Sequence, residues 1–108
     1  MTPSKPNVLL ITCHDLGRHL GCYGRQPIAT PNLDRLAQEG MLFTQHFCSA
    51  PSCSPSRGSI MTGRYPHSNG LMGLVNLGWE LPESERTLPQ YLRDHGYRTA
   101  LCGIEHER

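Results

Sequence analysis

The chain predicts an α/β domain built on a mostly parallel sheet covered by helices, and three observations point there. Residues 7–12 are an apolar, β-branched run with the composition of a strand buried on both faces. Runs of this kind alternate with segments of helical spacing, as in parallel sheets. At 108 residues the chain has the size of one small domain, with no repeat, low-complexity tract or linker to divide it. Three helices cannot cover both faces of such a sheet. Such a sheet therefore needs cover from more than these three helices.

The elements follow in order. After the strand at 7–12, Thr30-Pro31 opens a helix carrying Leu33, Leu36, Ala37 and Met41 at helical spacing, with Gly40 as its stop. Residues 41–47 can form a second strand. Ser54-Pro55 is a further helix start, with Ser54 as N-cap and Pro55 tolerated at the first helical position. That helix runs to Arg64, with Gly63 near its end. Residues 66–82 hold Pro66, Gly70, Gly73 and Gly78 before Trp79 and predict an irregular loop. Thr87 caps a helix through Leu88, Tyr91, Leu92 and His95, stopped by Gly96, and residues 97–102 form the next strand.

Composition narrows the partners. Ten basic against nine acidic side chains leave no charged field, so neither nucleic acid nor a membrane surface is an expected partner. The opening Met1-Thr2-Pro3-Ser4-Lys5-Pro6 leads into an apolar run too short for a signal peptide, and no stretch approaches membrane-spanning length. Cysteines at 13, 22, 48, 53 and 102 are odd in number and form no paired framework. A cytoplasmic location is expected, or a periplasmic or secreted one if a leader precedes this sequence. A zinc or redox-thiol domain built on Cys13, His14, Cys22, Cys48 and Cys102 lacks the required spacing: there is no C-x-x-C pair, and His19 and His46 stand isolated.

Two stretches carry chemistry. Cys53 lies at a helix start, where unpaired N–H groups and the positive dipole end favour a thiolate or a bound oxyanion. Arg57, one turn on, adds a planar donor fork for sulfate or phosphate. The plainer reading makes Cys53 a small buried hydrophobe and Arg57 a surface residue. His14-Asp15 sits at the C-terminal end of the first predicted strand, where open α/β sheets place their ligand crevices. Asp15 suits Ca²⁺ or Mg²⁺ and His14 is a softer donor, although an Asp after a strand is commonly a turn residue.

Residues 51–63, Pro-Ser-Cys-Ser-Pro-Ser-Arg-Gly-Ser-Ile-Met-Thr-Gly, closely resemble the signature of the type I sulfatases of the alkaline-phosphatase-like superfamily. Asn7 to Gly24 resembles the start of a sulfatase chain, and Gly96 to His106 a changed copy of the second signature. The resemblance implies an alkaline-phosphatase-like sandwich, with residues 1–108 as the N-terminal part of its catalytic domain, and sulfuric ester or sulfamate hydrolysis. It implies formylglycine made from Cys53 by a formylglycine-generating enzyme, and Asp15, Cys53 and His14 as ligands of Ca²⁺ or Mg²⁺. It implies catalytic roles for Cys53, Arg57 and His106 and substrate contacts for His14 and His106. The substrate would be a sulfated small molecule or glycan. His14 stands where the family usually has a first Asp, and Ile104 where it has a Lys that helps bind sulfate. Asn69-Gly70-Leu71-Met72-Gly73-Leu74, following Ser52 to Arg57, is most similar to the heparan N-sulfatase branch. Hydrolysis of phosphate or phosphonate monoesters at the same site, and a catalytically incomplete remnant, are the alternatives. Residues 1–108 alone are expected to show no turnover.

Overall fold

The computed structural model describes residues 5–25 and 28–107, and the chain divides into two compact units, Met1–Gln45 and His46–Arg108. In the first unit, α1 (Pro31–Glu39) begins after Thr30 and ends at Gly40, whose N–H bonds to the Leu36 carbonyl at 2.9 Å. Its limits are those the Thr-Pro start and the Gly stop predict. The Thr30 hydroxyl does not cap the helix. It accepts from the Gly21 N–H at 3.0 Å and donates to Asp34 Oδ1 at 3.0 Å. The same carboxylate oxygen accepts the Cys22 N–H at 2.7 Å, so α1 is fastened to a 3₁₀ turn at Gly21–Tyr23 that sequence periodicity does not reveal.

The second unit is organised on α2 (Cys53–Thr62), which opens with a Ser56 N–H to Ser52 carbonyl bond of 3.2 Å. Ser52, rather than Ser54, is its N-cap position. The start moves forward because a proline fits anywhere in a first turn whose N–H groups have no intrahelical acceptor. Cys53 is thus the first residue of the helix instead of the residue before it. Gly63 ends α2 at φ 68°, a left-handed conformation that glycine adopts without strain. Segment 66–82, expected to be irregular, contains α3 (Pro66–Asn69) and a 3₁₀ turn at Val75–Leu77. In α4 (Leu88–Asp94), Gln90 Oε1 accepts from both the N–H and the hydroxyl of Thr87, at 2.7 and 3.1 Å.

Leu71 and Leu81 are buried apolar side chains of this unit, and Asn69 and Pro55 are buried with them. Asn69 is satisfied on both ends: its amide donates to Thr62 Oγ1 and the Arg64 carbonyl, and its Oδ1 accepts the Leu71 N–H at 2.9 Å. That network ties α3 to the end of α2.

Among the described residues there is no β-strand, and 7–12, 41–47 and 97–102 form no ladder. A parallel strand exists only through neighbours that accept and donate its backbone bonds. Val8, Leu9, Leu10 and Ile11 remain 51–84% exposed, so the apolar character that predicts a buried strand is present while its burial is not. Residues 1–4, read as the approach to this run, lie outside the described residues. No helix among the described residues is long and apolar enough to cross a membrane.

Candidate active site

Cys53 is half-buried at the first position of α2, its thiol free. A ring nitrogen of His106 lies within 4.8 Å of its Sγ. The neighbouring Ser54 is buried; its Oγ accepts the Val75 N–H at 3.3 Å, which anchors the helix start to the 3₁₀ turn. Cys53 therefore projects from a turn that is held in place, beside backbone N–H groups that have no partner within the helix.

Arg57 lies one turn along α2 and is drawn toward the chain's last segment. Its Nε donates to Glu107 Oε1 at 3.2 Å and its Nη2 to the Ile104 carbonyl at 2.9 Å. Only 15% of the Arg57 side chain and 8% of the Glu107 side chain are exposed. Glu107 Oε2 accepts the His106 N–H at 2.8 Å, and the Glu107 carbonyl accepts the Leu81 N–H at 2.8 Å. Cys53, Arg57 and His106, three residues the sequence nominates, are gathered in this one unit. Glu107 is a residue that sequence reasoning does not find. Its partner is 50 positions away and no local spacing announces the pair. Where the second signature has Ile104 in place of a Lys, the backbone carbonyl makes the contact and the side chain is 66% exposed.

His14 and Asp15 belong to the first unit. His14 Nδ1 and Asp15 Oδ2 are 3.0 Å apart. Asp15 has φ 55°, a left-handed conformation that Asp tolerates better than most residues. Donor atoms at that separation suit neighbouring ligands on one divalent ion, and the Asp15 carboxylate, 90% exposed, is open to one. The remaining cysteines form no cluster: Cys13, Cys48 and Cys102 are exposed, and Cys22 faces a hollow of about 300 Å³ with Asp34 and Leu42. All five thiols are free, so the thiol-domain reading gains nothing from the fold.

Comparison with known proteins bears on the family. The Sulfatase family profile matches residues 6–108. Arylsulfatase D of Homo sapiens is 46% identical over 95% of this chain and 19% of its own length. Steryl-sulfatase of Mus musculus is 46% identical over 96% of this chain and 18% of its own, and N-acetylgalactosamine-6-sulfatase of Homo sapiens 38% identical over 96% and 22%. The crystal structure of yidJ from Bacteroides fragilis, assigned as a sulfatase, matches with a TM-score of 0.66 at 41% identity, over 75% of this chain and 18% of that one. The chain thus spans about a fifth of the length of these relatives. A family profile that runs almost from end to end, with relatives at these identities, places the chain in the sulfatase family.

Proposed function

We propose that this chain carries the nucleophile segment of a sulfuric ester hydrolase. The observation that carries the reading is Cys53 at the first position of α2, with His106 within 4.8 Å and Arg57 one turn on. Formylglycine at position 53 would supply a nucleophilic hydroxyl and a second hydroxyl through which sulfate is released. A formylglycine-generating enzyme is then a required partner. The N–H groups of the first turn of α2 and the Arg57 guanidinium favour the oxygens of a bound sulfate. The His106 imidazole is placed to donate or accept a proton beside position 53. Asp15 and His14 are the residues that would hold a divalent ion, Ca²⁺ or Mg²⁺, which supplies Lewis acidity.

Relatives named for aryl, steryl and N-acetylgalactosamine-6-sulfatases support a sulfated small molecule or glycan as substrate. The finer similarity to N-sulfatases, which would extend the substrates to sulfamates, rests on Ser52 to Arg57 and Asn69 to Leu74. Asn69 and Leu71 are core residues here, so that part of the likeness speaks of packing. The sheet of the alkaline-phosphatase-like sandwich belongs to the same reading: segments 7–12 and 97–102 are its proposed strands. The full-length protein, co-expressed with a formylglycine-generating enzyme, tests the function. Peptide mass spectrometry should find the aldehyde or its hydrate at Cys53. Aryl sulfate should be turned over faster than aryl phosphate, and Cys53→Ala should abolish it. Turnover that survives Cys53→Ala refutes the reading, and a preference for phosphate moves it to the phosphomonoester alternative.

A further inference from the structure

Glu107 lies outside the residues to which the reaction has been assigned, yet its one carboxylate touches both residues that flank Cys53. Oε1 accepts from Arg57 Nε at 3.2 Å, and Oε2 accepts from the His106 backbone N–H at 2.8 Å. With 8% of its side chain exposed, Glu107 meets little competition from water. Its own carbonyl accepts the N–H of Leu81, a buried residue, so the carboxylate is presented from an anchored backbone. Together with the Ile104 carbonyl on Nη2, it holds the Arg57 guanidinium, because bonds from two nitrogens of a rigid planar fork restrain its rotation.

We propose that Glu107 is a positioning residue, which orients the Arg57 fork toward the group at position 53 and thereby serves sulfate transfer. This rests on the sulfatase reading above. A carboxylate is needed rather than any polar group, since both of its contacts are donors. In Glu107→Gln the amide oxygen can still accept from one of them, but the NH₂ group then faces the other, donor against donor.

The test uses the full-length enzyme with formylglycine occupancy at Cys53 measured for every variant. Glu107→Gln should lower kcat per modified site by about 10- to 100-fold, the scale of a misplaced catalytic group, with KM changed by less than about threefold. In an Arg57→Ala background, Glu107→Gln should cost less than about twofold more, because its effect passes through Arg57. Glu85→Gln, which breaks the ion pair of Glu85 with Arg64, serves as the control and should leave kcat unchanged. Unchanged kcat in Glu107→Gln, or losses that multiply in the double variant, would overturn the assignment. A fall in thermal stability with kcat intact would show a packing role only and overturn it as well. Failure of the sulfatase reading looks different: the modified wild-type enzyme would not hydrolyse sulfate esters. Calorimetric binding of inorganic sulfate then tests the same positioning, with at least about tenfold weaker binding expected in Glu107→Gln and equal binding overturning it.

Discussion

Gly58, in the middle of α2, and the buried Leu71 meet with no room for a methyl group between them: a Cβ on Gly58 would stand 2.9 Å from Leu71 Cδ2. This contact lets the loop after α3 lie directly against the helix that presents Cys53. Glycine inside a helix ordinarily costs about 1 kcal/mol relative to alanine, so Gly58→Ala would stabilise an isolated helix. Here overpacking of an enclosed leucine, about 1–3 kcal/mol, outweighs that gain. Gly58→Ala is expected to lower the denaturation midpoint of the full-length enzyme, and a raised midpoint would show that Leu71 can move aside.

The Arg57–Glu107 pair should separate stability from activity. Both side chains are largely buried, so Arg57→Ala leaves an uncompensated carboxylate and should cost about 3–5 kcal/mol in denaturant unfolding. Replacing both, as Arg57→Met with Glu107→Leu, should recover most of that loss, since an apolar pair of similar volume has no charge to desolvate. Turnover should not recover. Activity restored in the double variant would mean that the guanidinium has no part in the reaction.

Asp15→Asn removes a charge and keeps a side chain that tolerates the left-handed backbone at φ 55°. Thermal stability should therefore hold while the affinity for Ca²⁺ or Mg²⁺ drops. A rise of about a hundredfold or more in the metal concentration needed for half-maximal turnover is expected, beyond what outer-shell changes usually cause. Metal dependence identical to wild type would remove Asp15 from the ligand set.

Of the five cysteines, Cys53 alone has Pro and Arg two and four residues on, so it alone should be converted to formylglycine. Tryptic mapping should find Cys13, Cys22, Cys48 and Cys102 unmodified; an aldehyde at any of these would show that the Pro and Arg offsets are not what is recognised.

Residues 1–108 on their own should bind a hydrophobic dye and melt without a sharp transition. Leu9, Ile11, Met41, Phe43 and Phe47 are each more than 60% exposed, and every large aliphatic side chain left in water forgoes roughly 1.5–3 kcal/mol. Set against a domain stability of about 5–15 kcal/mol, a few of these suffice. A monodisperse monomer with a single steep melting curve would count against it.

Helices were legible because their signals are local. Thr30-Pro31 with Gly40, and Thr87 with Gly96, each specify an end within a few residues of where it forms. The start of α2 was displaced because Ser52 and Ser54 are equally good caps by composition, and the burial of Ser54 against Val75 chooses between them. Strands are not local objects. The run at 7–12 announces an apolar environment but cannot name the chain that provides it. Cys53, Arg57 and His106 could be nominated from motif spacing, whereas Glu107 acquires meaning only when folding carries it to Arg57.

The winding of Cys53 into a helix whose next two residues, Ser54 and Pro55, are buried bears on timing. An enzyme that reads Cys53, Pro55 and Arg57 together needs those side chains accessible at once, and the folded protein offers Pro55 to no one. On the function proposed here, oxidation must come before α2 closes over its own recognition sequence, so folding acts as a deadline. Protein folded without the modifying enzyme and supplied with it afterwards should stay unconverted, and should regain conversion only once α2 is unfolded.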